Sequence, residues 1–334
     1  MKSLYLGRLV CALSAATAFS CGGGGPGEDM PPIVVNDGDY YHFVTTEVKL
    51  ATTAQEAEAQ SFDLDGDGEV DKGLTGFLPQ ILPLVAADVD VNQEIADAIT
   101  VDGSIILLHS VRANSLETDS SVSWQVFLGD ELAAGFPADQ FTGNGAFNIA
   151  ANSPMTAKLN GRLGPTSGGR LFQGGPGTVT LNISIEGLPS ALSVSLVSTR
   201  IKSTVTATGG TGIIGGAITT KSLREQIFPF AVEVLQDYIA DPANADNVQT
   251  ILNFIDTDMD GTVDVTDLET NSFVQTVLGS FQIDLINDPD GDGIGPVEPG
   301  EDGVNDSIPL SVGFSFVPAK FTASGETGTV IPAP

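Results

Sequence analysis

The sequence predicts an α+β, β-rich fold: an antiparallel β-sandwich or partly closed barrel that carries a helical insert. Three observations predict it. Runs between residues 40 and 325 alternate apolar and polar side chains with period two, the mark of strands with one dry face. Gly-rich turns such as GPTSGG and QGGPG separate them, which suits antiparallel neighbours. One long stretch, 221–279, abandons period two for helical spacing. With 41% hydrophobic residues in 334, the chain has the material for a sizeable core.

The strands read as follows. SVSWQVFL puts Val122, Trp124, Val126 and Leu128 on one side. MTAKLNGRL alternates Ala157, Leu159, Gly161 and Leu163 with Lys158, Asn160 and Arg162, and TVTLNISI lines up Val179, Leu181, Ile183 and Ile185. ALSVSLVSTRIKSTVTA begins in one phase (Leu192, Val194, Leu196) and continues in the other (Val197, Thr199, Ile201, Val205). A phase change inside a strand predicts a β-bulge. IPLSVGFSF closes the set with Ile308, Leu310, Val312, Phe314 and Phe316.

Helices interrupt in two places. Residues 73–100 hold LTGFLPQILPLV, broken by Pro79 and Pro83, then DVNQEIADAI. In the insert, SLRE at 222–225 reads as a capping box with Ser222 as N-cap and Glu225 at N3. Leu223, Ile227, Phe230, Val234 and Tyr238 follow at helical spacing. A second helix is expected at about 244–255 and a third at about 267–279, with a return to strand at FQIDLI.

Lys2 and Arg8 flank an apolar run, LVCALSAATAF, too short to span a membrane, so residues 1–20 read as an export signal peptide. GGGGPGEDMPP makes 21–39 a flexible tether, 40–325 a single β-rich domain and 326–334 a flexible tail. Cys11 would leave with the signal, so Cys21 would be the one mature cysteine and no internal disulfide could form. AFSC resembles the lipobox of bacterial lipoproteins. That resemblance implies cleavage before Cys21 and its acylation, for example by palmitate. The protein would then be exported and lipid-anchored to the bacterial outer membrane or cell surface. The alternative is an ordinary secretory signal with a cysteine nearby.

Between the second and third helices lies IDTDMDGTVDVTDLE, with five aspartates in twelve positions. Such a density of like charge repels itself, so a bound cation is expected there; the alternative is a plain acidic surface loop. In an EF-hand loop, side chains at positions 1, 3 and 5 bind Ca2+, Gly at 6 turns the chain, position 7 gives its carbonyl, and positions 9 and 12 complete the shell. Asp256, Asp258, Asp260, Gly261, Thr262 (carbonyl), Asp264 and Asp267 fit that spacing. The loop resembles an EF-hand, in particular the dockerin variant that ends in Asp. DLDGDGEVD repeats the first half with Asp63, Asp65, Asp67, Glu69 (carbonyl) and Asp71, but its position 12 is Leu74, so another ligand must complete the shell. A third loop, DPDGDGIG, offers Asp288, Asp290 and Asp292, with Glu298, Asp302 or Asp306 as late ligands, and resembles the calcium loops of thrombospondin type 3 modules. Dockerins pair two loops close in sequence; here they lie far apart, so cohesin binding does not carry over.

The order of lipobox tether, opening strand, DLDGDGEVDKGL, GSIILLHS, GGPGTVTLNISI, GGAIT and the helical EF-hand segment is similar to an uncharacterised group of predicted lipoproteins from myxobacteria and related soil bacteria. That resemblance implies no activity, only that strands and insert form one domain.

A formal charge of −30 argues against nucleic acid and anionic lipid surfaces as electrostatic partners. Seventeen of the 43 acidic residues fall within 63–71, 256–267 and 288–306, which points to local cation sites. Enzyme signals are poor. His109, in IILLHSV, reads as a hydrogen-bonded core residue and His42 as strand packing. Gly210, Gly212 and Gly215 spell G-x-G-x-x-G without its βαβ context, so a turn is expected there instead of a phosphate cradle. The expectation is a membrane-anchored, exported, non-catalytic domain in which Ca2+ rigidifies a β-rich structural or interaction module. The first alternative is an amphiphile- or lipid-binding lipoprotein with an apolar cavity between sheet and helices; a hydrolase with an unrecognised carboxylate site ranks third. The sequence names no protein or amphiphile partner.

Overall fold

The computed structural model describes residues 38–76, 79, 90–153, 158–166, 169–183, 192–242, 245–287, 295–298, 302–323 and 330–331. The expected signal, residues 21–37 of the expected tether with Cys21, and the loop residues Asp288, Asp290 and Asp292 lie outside them; Asp39, expected in the tether, already begins the first strand.

Eight antiparallel strands pair in a closed ring. They are β1 (Asp39–Lys49), β2 (Leu107–Ala113), β3 (Asp119–Leu128), β5 (Lys158–Thr166), β6 (Gly169–Gly174), β8 (Leu192–Thr206), β9 (Gly209–Thr219) and β10 (Ser307–Pro318). β10 returns to pair with β1, with Phe43 opposite Pro318. β8 is long enough for two partners on one edge: β6 along Ile201–Thr204 and β7 (Val179–Ile183) along Leu192–Leu196. The expected bulge lies between them. The β8–β9 register shifts between Val197 and Arg200, and Ser198 takes φ +50. Val194 and Leu196 before it, and Ile201 and Val205 after it, all reach the main core.

One alternating set of each strand fills that core, as the period-two runs predict. Val122, Trp124, Val126 and Leu128 are buried there with Phe172, Phe314 and Phe316. Trp124 lies 5.1 Å from Phe172 and 5.6 Å from Phe316, centroid to centroid. Gly212 makes room: a Cβ on it would sit 2.7 Å from the Phe314 ring. The G-x-G-x-x-G run is therefore strand β9 packed under aromatic rings, neither the expected turn nor a phosphate cradle. His109, fully buried, accepts the Trp124 indole N–H at Nδ1 (3.1 Å), which leaves Nε2–H to donate to Thr45 Oγ1 (2.7 Å). Burial holds His109 down to about 3 and His42, stacked on Phe321 at 4.3 Å, down to about 4, so both stay neutral.

The opposite face of β1–β3 is also dry. Val44, Leu108 and Phe127 pack on Phe147 and Ile149 of β4 (Ala146–Ile149) and Phe321 of β11 (Lys320–Ala323), which form a small sheet with β12 (Val330–Ile331). The molecule is thus a barrel-like ring of eight strands with a small three-stranded sheet packed against one side.

Helices cover the rest. α1 (Ala54–Gln60) is capped by Thr53. α2 (Val91–Thr100) buries Val91, Ile95 and Ile99, one stripe at i, i+4 and i+8, and Asn92 pairs with both backbone groups of Leu50 (2.8 and 3.1 Å). The insert begins at Thr220. Its cap is Thr219, whose hydroxyl accepts the Ser222 amide at 3.1 Å; Ser222 lies inside the helix and makes no side-chain cap bond, so the expected capping box does not form. Leu223–Ile227 is a π-turn, leading into α3 (Phe228–Ala240). The expected stripe of Leu223, Ile227, Phe230, Val234 and Tyr238 is buried. α4 (Ala245–Ile255) follows. The expected third helix is two, α5 (Val265–Thr270) and α6 (Ser272–Gly279). The break is Asn271, whose side-chain Oδ1 accepts the amides of Phe273 and Val274 while its Nδ2 donates to the Phe254 carbonyl. FQIDLI holds two isolated bridges, Ile283 to Ser307 and Ile286 to Val297, in place of the expected strand.

Candidate metal centres

α4 ends at Ile255 and delivers Asp256 as the next residue, and the chain then folds tightly over it. Asp256 Oδ2 accepts the Gly261 amide (2.9 Å) and Oδ1 the Asp260 amide (3.2 Å). Met259 and Gly261 take φ of +60 and +90, so the backbone curls left-handed twice within three residues. Asp260 Oδ1 accepts both the amide and the hydroxyl of Thr262. The result brings one oxygen each of Asp256, Asp258 and Asp260 within 4.8 Å of one another.

The other two aspartates frame the loop. Asp264 caps α5 and, with Asp267, forms a reciprocal capping box. The Asp267 Oδ1 also reaches back across the loop to accept the Thr257 amide (2.6 Å) and hydroxyl (2.9 Å). Asp267 is buried, as are Val263 and Leu268, which join the main core. Gln236 on α3 donates to the Val263 carbonyl (2.8 Å), and Arg224 lies 3.6 Å from Glu269.

The 63–71 loop repeats this backbone. Asp63 Oδ2 accepts the Gly68 amide (3.1 Å), Asp67 Oδ1 accepts the Glu69 amide (2.7 Å), and Gly66 and Gly68 take φ of +83 and +92. The missing position-12 carboxylate has a substitute. Asp71 bridges back to Phe62, and its Oδ2 accepts the Leu64 amide at 2.6 Å. Asp63, Asp65 and Asp71 then form the second cluster whose oxygens lie within 4.8 Å of one another, while Asp67 and Glu69 stay exposed and outside it. Burial, with Asp65 and Asp67 adding repulsion, pushes Asp71 up to about 7; burial raises Asp65 as well. Both clusters are all-oxygen donor sets, which suit a hard divalent cation and not a thiophilic one.

Two residues near these loops were outside the sequence reading. Arg200 donates to the carbonyls of Asp63 (2.5 Å) and Leu64 (3.4 Å), and Gln236 holds the 256–267 loop. The phase change in β8 was a signal for the first; nothing local announces the second. Of the late ligands suggested for the third loop, Asp306 is engaged elsewhere. Its carboxylate accepts the amides of Leu285 and Ile286 and the Ser307 hydroxyl, its N–H donates to the Ile283 carbonyl, and its carbonyl accepts the Thr220 amide. It clasps the two ends of the insert together.

No protein-family model, no curated protein and no solved structure matches this chain.

Proposed function

We propose that the protein is an exported, lipid-anchored, non-catalytic Ca2+-binding domain in which the ion rigidifies a β-rich structural or interaction module. One observation carries the reading: Asp256, Asp258 and Asp260 converge in an EF-hand-like helix–loop–helix whose rear face, Val263 and Leu268, is built into the core. An ion there would relieve the repulsion of three clustered carboxylates and lock α4 and α5 against α3. The ion acts as a staple, since its loop is already embedded. Both histidines are sealed and neutral, which fits a non-catalytic role. Trp124, Phe172, Phe314 and Phe316 fill the ring, so the amphiphile cavity of the alternative reading would have to lie between sheet and helices.

Hydrogen exchange with and without Ca2+ tests the staple. Protection should rise across 244–279 with no gain in binding of a hydrophobic dye. Increased dye binding would replace the staple with a calcium-gated groove. The anchor is tested separately: Cys21→Ser should move the protein from the membrane to the soluble fraction, and continued pelleting with membranes would exclude acylation at that residue.

A further inference from the structure

The two loops differ in their nearby positive charge. The chain has no Lys or Arg between Arg224 and Lys320, and Arg224 faces Glu269, beyond the 256–267 loop. The 63–71 loop instead receives a guanidinium from the barrel. The bulge at Ser198 shifts the β8 register just ahead of Arg200, so Arg200 leaves the ring on its outer side while Ile201 enters the core. There it donates to the carbonyls of loop residues 63 and 64, and its charge faces Asp63, Asp65 and Asp71. Its Nε is buried with no hydrogen-bond partner among the described residues. Holding a half-buried guanidinium there is costly as a hydrogen-bonding arrangement alone. Charge compensation of the three carboxylates gives the placement a reason.

We propose that Arg200 is a resident cation and positioning residue for the 63–71 loop, so that this loop is ordered without a divalent ion and responds to Ca2+ less than the 256–267 loop does. A guanidinium seated beside the loop and a divalent ion held by its carboxylates repel each other, so the arginine lowers the loop's affinity for metal while it removes the loop's need for one. The ranking of the two loops rests on the calcium reading above; the role of Arg200 does not.

Hydrogen exchange of the full chain, read separately over 61–72 and 256–267, tests this in EDTA and in Ca2+. In the wild type, 61–72 should be protected in EDTA and change less than about threefold on adding Ca2+, the scale of a weak net interaction. Arg200→Met should lose about tenfold or more of that protection in EDTA, the scale of charged hydrogen bonds, and regain it with Ca2+. Arg200→Lys, which keeps the charge, should fall nearer the wild type. A wild-type 61–72 segment that gains tenfold or more on Ca2+, or an Arg200→Met loop unchanged in EDTA, overturns the proposal. If Arg200→Met unfolds the chain, the wild-type arm alone decides. Failure of the calcium reading is visible elsewhere, as a 256–267 segment indifferent to Ca2+ in every variant.

Discussion

Position for position, the 63–71 and 256–267 loops fold alike. The first aspartate of each accepts the amide of the sixth residue, a glycine at φ near +90, and the fifth accepts the amide of the seventh. In both, a later carboxylate folds back to accept the amide of the second residue at 2.6 Å: Asp71 at position 9 in one, Asp267 at position 12 in the other. They dock on the fold by opposite sides. The 63–71 loop buries its front: Phe62 and Leu64 pack with Ala217 and Leu285, while Val70, at position 8, is half-exposed. The 256–267 loop buries its rear: Val263, at position 8, is 0% exposed, while Thr257 is exposed and Met259 stands 87% exposed at the tip. An aspartate loop of this kind is a self-contained local structure. Its turn is closed by its own aspartates, so the surrounding fold can hold it by whichever apolar residue it supplies.

The largest effects should follow those docking points. Leu64→Ala should destabilise by about 3 kcal/mol, the usual cost of a leucine cavity, while the matching Thr257→Ala should cost well under that. Val263→Ala should likewise exceed Val70→Ala in a denaturant titration. Equal losses within either pair would remove the distinction between front and rear docking.

Metal comes next. At a Ca2+ concentration 100 times the dissociation constant, an occupied 256–267 loop adds about 2.7 kcal/mol. EDTA should therefore lower the melting temperature. Asp258→Ala with Asp260→Ala should abolish most of that drop, and Asp65→Ala should leave most of it in place. A melting curve indifferent to EDTA would contradict this part of the comparison.

A pH effect should distinguish the 63–71 loop. Asp71 is held near 7 in the folded protein against 3.8 for an ordinary aspartate. The folded state therefore holds that proton more tightly than the unfolded chain. The stabilisation is complete below about pH 4 and is lost as pH rises through about 7. Measured in EDTA, stability over that window should fall less steeply in Asp71→Asn than in the wild type; identical slopes would show that Asp71 does not carry the effect. The smallest effect is Gln236→Leu, expected to cost about 1 kcal/mol through the Val263 carbonyl and detectable as a small shift in the denaturation midpoint.

Period two made the ring's strands legible, and the bulge in β8 was readable because it breaks that period in a single strand. The clustered aspartates were readable because their spacing is local. What the sequence hid is non-local. Arg200 meets Asp63 and Leu64 across more than 130 residues, and Gln236 meets Val263 across 27. Asp71's substitution for position 12 depends on the bridge to Phe62, which no linear motif encodes. Ser222 was a reasonable cap by pattern, but Thr219 sits where the strand ends and takes the role first. The split of the third helix turns on Asn271 bonding Phe254 across the loop, again a tertiary choice.

The clasp at Asp306 has a topological meaning. β9 and β10 pair without interruption down to Thr219 opposite Ser307, so everything between them, helices and acidic loops alike, is the connection of one β-hairpin. Both ends of that connection emerge side by side, and the cost of closing a long loop rises only as the logarithm of its length. The barrel's register is set by strands that would be neighbours whatever the connection contained. A connection of this kind can lengthen, acquire a metal site or change its loops while the hairpin beneath it keeps the same pairing. The part of this molecule freest to change is thereby also the part that holds its best-formed acidic loop.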